Sequence, residues 1–540
     1  MKLQSHVPLA ALGLSLALIV AACGTDDDDP DVAPSRTTLE VATVIEPPDI
    51  FPYSGHGAKA QVFDAMLHPI IRTDAEGELY SDVLESWDVS GDALTVTFSL
   101  RPDIEWSDGT PMSSADIVMS LTQHLDPEIS ELTLAVDGVA GESEFLNGDA
   151  DTVSGLSAPD DLTVVVELEQ PDPTWLPRLT MFTGILILPD HVLGDVPHDE
   201  LENHEYFNSY PVTNGPYTFV EWAPGQHVEF ERNENWSLGE PGFERLFIKV
   251  IDADVASAQL ETREVQFVSL ISPGDVDRIG SLDGIEIQTT PGDSPNKWGL
   301  MHHGPLLDNR VRQAMVYAID REGICQLVLD GHCTVPVANN SQIGPDWAIP
   351  TTGVTEYTYD PDRARGLLAE AGWDPETELV FLDYLGTEAE ALAVAQDNMA
   401  DVGINWTIEN VDVSTLNERT EEAPESFHGF MAGGGTWTVD PSIARTFYSC
   451  DEKYPPGANR GHYCNEELEL LLTAGHEEAD PNKRAEIYQE AYRIINDDVP
   501  EISLYVKDFV VAHDTHLKGI ATHGLYPHQL RNIGDWYWED

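Results

Sequence analysis

Basic residues are scarce in this chain. Lys and Arg together number 27 of 540 residues, against 96 Asp and Glu, for a formal net charge of −69. A surface of that sign repels phosphate backbones, and no basic cluster offsets it, so nucleic acid is excluded as a partner. Cysteine is sparse too, at five. No two are spaced Cys-x-x-Cys, which argues against a structural metal site. Catalytic signatures are missing as well. Gly433-Gly434-Gly435 is not followed by Lys-Ser/Thr, Ser54 has no glycine two residues before it, and His302-His303 are adjacent rather than four apart. Phosphate-loop, nucleophile-elbow and His-Glu-x-x-His chemistry are thereby removed, and no enzyme activity, metal or cofactor is expected. No apolar run is long enough to span a bilayer. The longest, Val7 to Ala22, has roughly 16 residues, short of the ~20 that a spanning helix needs.

What is present reads as a globular, exported protein. Hydrophobic residues make up 41% and aromatics 8%, ordinary for a folded chain, and the length calls for two or three domains. Self-repulsion among the carboxylates is screened at high ionic strength, so the acidity suits a saline or alkaline setting. Lys2 followed by the apolar run has the form of a signal peptide over 1–22. Val20-Ala21-Ala22-Cys23 resembles the lipobox of bacterial lipoproteins, which implies acylation of Cys23 and an acidic tether over 23–37. Four cysteines then remain. Short separations favour Cys325 with Cys333 and Cys450 with Cys464, although four allow three pairings.

Leu94 to Leu121 carries the most local information. Leu94, Val96, Phe98 and Leu100 alternate with Thr95, Thr97 and Ser99, the period-two signature of a half-buried strand. Ser107-Asp108-Gly109-Thr110-Pro111 breaks the chain, and Ser113 or Ser114 with Asp116 predicts a capped helix. Trp106 and Trp87 are expected to be core. The spacing predicts further strands over 39–44, 162–168, 247–250 and 265–268, and a hairpin over 214–233. Helices are predicted over 60–67, 255–262, 310–321, 363–371 and 482–496. Pro361 suits the first turn of one of them and Gly372 its C-terminal stop.

The segment Leu94–Leu121 resembles the signature of the family 5 solute-binding proteins of ABC importers, the dipeptide, oligopeptide and nickel receptors. Asn214-Gly215-Pro216-Tyr217, Val311-Arg312-Gln313-Ala314 with Tyr317-Ala318-Ile319-Asp320-Arg321, and Tyr359-Asp360-Pro361 with Leu367-Leu368-Ala369-Glu370-Ala371-Gly372 match it too. The resemblance implies an α/β, two-lobed periplasmic-binding-protein-like fold (type II, three-domain variant) with a hinged interlobe cleft. Domain I would comprise 38–60, 205–285 and 501–540, domain II 61–204 and domain III 286–500, with two strands crossing between lobes. Some dipeptide-binding relatives carry a disulfide where Cys450 and Cys464 stand.

Function follows by the same route. The resemblance implies a lipid-anchored monomer that captures a peptide or other small polar solute and delivers it to ABC permease subunits. Residues assigned to the ligand on this basis are Tyr53 and Ser54 in the loop after the first strand, Trp298, and Gly435, Trp437, Thr438 and Asp440 in the loop resembling the family's GWxxDxxDP. In peptide-binding relatives an Asp shortly before Asp-Pro pairs with the ligand ammonium. Thr436 to Val439 hold no carboxylate, so that role is not carried over. An oligosaccharide or nickel complex in the same cleft, an exported metal-dependent hydrolase, and an adhesin on the same fold are the competing readings.

Overall fold

The computed structural model describes residues 36–539 apart from 55–56, 75–76, 340–345, 385–388, 433–439, 456 and 522–527. The signal segment, Cys23, Gly435, Trp437 and Thr438 therefore lie outside the described residues.

The alternating stretch forms the strand Thr95–Leu100, with Val96, Phe98 and Leu100 buried and the intervening hydroxyls partly exposed. It sits inside a four-stranded antiparallel sheet ordered Leu84–Val89, Thr95–Leu100, Thr163–Glu167, Leu156–Asp160. Gly109 turns the chain at φ +83°, a conformation that costs glycine nothing. Ser113 then caps the helix Ser114–Leu125 in a capping box. One Asp116 oxygen accepts the Ser113 N–H at 2.7 Å, and the other accepts that of Asp190 at 2.8 Å, tying the helix start to the next segment. Trp106 is fully buried and Trp87 packs on the same core, as expected.

Apart from two short two-stranded ribbons, the remaining described strands build one eleven-stranded mixed sheet, in which the short strand Cys333–Thr334 pairs with Glu501–Asp514. At its centre two long antiparallel strands, Ile285–Leu300 and Glu501–Asp514, pair from Ile285 opposite Asp514 to Gly299 opposite Glu501. On one side lie Gly429–Ala432, Glu378–Asp383 and Asn405–Asn410. On the other come Phe267–Val268, Thr38–Thr43, Arg245–Val250 and the hairpin Tyr217–Ala223/His227–Arg232. The two long strands serve different cores at their two ends. Ile285, Val510 and Ala512 pack with Ala256, Leu260 and Ile279. Trp298, Leu300, Ile502 and Leu504 belong to a core built only from residues 298–505. Between these ends the register slips at Pro291/Pro295 and again at Asn296/Lys297. Proline cannot donate to the ladder, so the pairing is interrupted there. The largest core unites residues 39–267 with Val511, Leu517, Leu530, Ile533 and Trp536.

Most predicted elements are present within a few residues. Pro361–Ala371 starts on Asp360, whose carboxylate accepts the Arg363 N–H, and Gly372 follows it at φ +72°. One helix differs. Asn309–Ala318 stops short of Arg321 because Ile319 is extended, and a second helix, Arg321–Val328, begins on an Asp320 cap. The break turns the buried Arg321 guanidinium onto the carbonyls of Ser503 and Tyr357. Those buried acceptors would otherwise be unpaired, at a cost of about 1–3 kcal/mol each.

The charge imbalance has a direct consequence for this fold. Raising monovalent salt from about 0.01 to 1 M shortens the Debye length from roughly 30 to 3 Å. The melting midpoint is expected to climb across that range in calorimetry, because repulsion among surplus carboxylates is then screened. A midpoint that falls with added salt would count against this account.

Candidate functional site

Strand parity at the crossing pair sets the first wall of a cavity. On Ile285–Leu300, Trp298 points into the core, in contact with Phe381 and Trp406, so its neighbours Lys297 and Gly299 point the other way. Lys297 Nζ lies 3.0 Å from a carboxylate oxygen of Glu501 on the partner strand, both side chains being 9% exposed. The Tyr448 hydroxyl donates to Glu501 Oε1 at 2.5 Å, and Lys297 Nζ stands 5.2 Å from the Phe447 ring. A buried ammonium with a carboxylate and an aromatic face is held in one geometry. These groups, with Tyr384, Phe430, Tyr454 and Tyr463, surround a cavity of about 620 Å³.

The far wall is a stapled loop. Cys450 and Cys464 are joined, with Cα atoms 4.6 Å apart, and Asn459 Nδ2 donates to the carbonyls of Ser449 (2.9 Å), just before the loop, and Tyr463 (2.7 Å), at its end. Cys325 and Cys333 form the other disulfide. Both pairings are the ones that sequence separation favours. Removing the first by Cys450→Ser with Cys464→Ser is expected to cost about 3 kcal/mol, as for a loop of ~15 residues. It should also weaken ligand binding, since Tyr454 and Asn459 to Gly461 line the cavity. Urea denaturation and a ligand titration of the double variant check both effects.

A second cavity, of about 430 Å³, adjoins the first, and Leu134, Thr446 and Glu452 line both. Asp137, Asp172 and Arg178 come from the first part of the chain, while Ser442, Arg445 and His476 face them from the later part. Arg178 bridges Asp137 and Asp172, the latter at 2.8 Å. Burial lowers the His476 pKa; nearby Asp172 opposes that, and Arg445, Arg178 and Arg484 add to it. The crevice is thus walled by both halves of the molecule, and cavities of this size suit small ligands.

The described residues assigned to the ligand from sequence line neither cavity. Tyr53 is fully buried, with its hydroxyl on Gln123 and its ring against His124 and Phe207. The Ser54 hydroxyl binds Asp49 at 3.1 Å, beside the buried Lys59 that locks the same turn. Trp298 occupies the second core because of its strand parity. Asp440 is 4% exposed and forks onto Arg484 at 2.6 and 2.8 Å. Sequence reading missed Lys297, Glu501 and Tyr448. The alternation Lys297-Trp298-Gly299 could have signalled the first of these. Nothing local marks Tyr448 or Glu501.

Among the described residues one His/carboxylate group is close enough to chelate: Glu221, His227 and Glu229, with ligand atoms within 4.8 Å. It lies on the hairpin away from both cavities, and Arg245 already engages Glu229. No described helix is long and apolar enough to cross a membrane.

Comparison with known proteins agrees with this architecture. Residues 78–455 match the model of the bacterial extracellular solute-binding proteins, family 5 (middle region). A putative ABC transporter peptide-binding protein of Brucella ovis is 30% identical over 453 residues, covering 81% of this chain and 80% of the relative. The solved structure of the oligopeptide-binding protein AppA from Bacillus subtilis, with a nonapeptide, superposes with a TM-score of 0.76 at 24% identity, over 94% of this chain and 99% of that one. NikZ of Campylobacter jejuni, with a nickel–L-histidine complex, gives 0.76 at 23% identity over 93% and 99%. With the family model spanning residues 78–455 and the fold shared over 93–94% of the chain, this chain belongs to the bacterial extracellular solute-binding proteins, family 5.

Proposed function

We propose that the protein is the lipid-anchored receptor of an ABC importer, binding a peptide between its lobes and presenting it, unaltered, to a membrane permease. The observation that carries this reading is the crevice itself: two adjoining cavities whose walls come from both halves of the chain, with charged side chains on each face. A ligand touching both walls stabilises the closed arrangement over the open one, and the permease then reads the closed shape. The lobes divide near 285 and 500, and the slipped register at Pro291/Pro295 is the hinge in the crossing strands. Acylation at Cys23 holds the receptor at the membrane after cleavage of 1–22, and the receptor works as a monomer. The names of relatives that bind peptides, and the family's role in transport rather than catalysis, support this reading.

Mass spectrometry of small molecules released from the purified protein, together with a thermal-shift screen of peptides, sugars and nickel chelates, tests it. Peptides are expected to raise the melting midpoint and to be recovered with their original masses. Shifts confined to nickel chelates or sugars would reassign the ligand, and recovery of cleaved peptide would replace the receptor by a hydrolase. Cys23→Ser should release the protein from membranes.

A further inference from the structure

The outer hairpin of the large sheet holds a cluster that solute capture leaves unused. His227 and Glu229 are two apart on the strand His227–Arg232 and so share one face. Glu221, on the edge strand Tyr217–Ala223, stands directly opposite Glu229 in the antiparallel register. Val228 and Phe230 alternate with them and enter the largest core, which leaves these three side chains on the outer face. Two carboxylates opposed across a ladder destabilise it, here at an edge strand that no further strand supports.

The imidazole points to a ligand independently of that repulsion. His227 Nε2 is buried and makes no hydrogen bond among the described residues. The nearest carboxylate oxygen, Glu221 Oε1, lies 3.5 Å away, longer than an N–H···O bond of about 2.7–3.2 Å. The ring stands edge-on to Phe247, with centroids 5.4 Å apart, and is thereby oriented. The Glu229 side chain is only 10% exposed. One donor atom from each of the three residues lies within 4.8 Å of the others. Tetrahedral zinc, with bonds of about 2.0–2.2 Å, holds its ligand atoms about 3.4 Å apart. The His227–Glu221 edge already has that length, and Glu221, 60% exposed, has room to turn and close the rest.

Two cations border the cluster without filling it. Lys249 is paired with His227 across the strands but extends to Glu40, at 2.6 Å. Arg245 engages Oε1 of Glu229, is half-exposed, and lies over the Phe247 ring. Glu231 stands directly opposite Arg245 and can retain it when Glu229 turns to a metal. An imidazole with two carboxylates suits zinc and its first-row neighbours, whereas calcium and magnesium take oxygen ligands alone.

We infer that Glu221, His227 and Glu229 form a binding site for a divalent transition metal of the zinc class. The ion clips the two outermost strands together and leaves one coordination position to water. This site is separate from the solute cleft and does not depend on the receptor reading.

The test titrates zinc(II) into the mature protein, free of any histidine tag, by calorimetry in about 1 M NaCl, where diffuse attraction to the acidic surface is screened. One ion per chain is expected, with a raised melting midpoint, and excess magnesium should not displace it. His227→Gln should weaken binding by about a hundredfold or more, beyond what loss of an outer-sphere partner costs. Arg245→Gln removes the competitor for Glu229 and should tighten binding. Cobalt(II) in place of zinc should give the visible bands of a four- or five-coordinate site in the parent and none in His227→Gln. The metal-free melting midpoint of His227→Gln, expected close to the parent's, is the folding control. Equal zinc affinity in parent and His227→Gln, displacement by magnesium, or no tightening in Arg245→Gln would overturn the inference.

Discussion

Asp440→Ala is expected to destabilise the protein by about 3–5 kcal/mol, the penalty for stripping the partner from a buried ion. Arg484 makes two parallel contacts to Asp440, at 2.6 and 2.8 Å, and gives its Nε–H to the Gly475 carbonyl at 2.9 Å. Its guanidinium also lies within 5.7 Å of the Trp347 ring and 5.2 Å of the Tyr488 ring. With the carboxylate gone, that positive charge stays among apolar rings. The same carboxylate accepts the Ser442 N–H at 2.9 Å, just before the helix that bears Arg445, so that helix should loosen too. Urea unfolding of Asp440→Ala and of a double variant, Asp440→Leu with Arg484→Met, separates the contributions. The double variant should recover much of the loss because no unpaired ion remains. A single variant within about 1 kcal/mol of the parent would show the pair to be more hydrated than its burial indicates.

Acid should unfold the protein from below pH 6.5, well before most carboxylates protonate. His124 is fully buried, bonded through Nδ1 to the Ser130 hydroxyl at 3.0 Å, and burial pushes its pKa down from 6.5 to about 3. Between those values the unfolded chain binds a proton that the folded one refuses. Stability is therefore complete above pH 6.5 and declines as pH falls, by about 1.4 kcal/mol per pH unit for one such group. By pH 4 His124 alone accounts for roughly 3 kcal/mol. Burial also lowers His302 to about 3 and His428 to about 4, which adds slope of the same sign. Comparing parent and His124→Gln in urea at pH 4 to 8 isolates the contribution. The variant starts weaker at pH 8 and should show a shallower slope below 6.5; identical slopes would rule His124 out.

The parts of the molecule that announce themselves in sequence are those whose chemistry is local. Ser113 with Asp116, Pro361 with Gly372, and the alternation through Leu100 each fix an element by capping, backbone restriction or burial period. The second core and the crossing strands followed from motif resemblance together with apolar runs. Site residues were harder. Trp298 was assigned one position away from Lys297, and on a strand one position is the whole distance between core and cavity. Tyr53 and Asp440 have the polar atoms of ligand contacts, but Gln123 and Arg484 satisfy them from 70 and 44 residues away. No local pattern encodes such partners.

The largest core is sewn shut by Val511, Leu517, Leu530, Ile533 and Trp536, residues far downstream of all its other members. During synthesis and export, everything from Leu39 to Phe267 must therefore wait for the tail before its interior can be sealed. An N-terminal portion emerging early would stay pliable and threadable, a useful condition for a polypeptide that has to pass a narrow pore before it folds. Truncation at the far end should thus be felt first by the lobe that begins the chain.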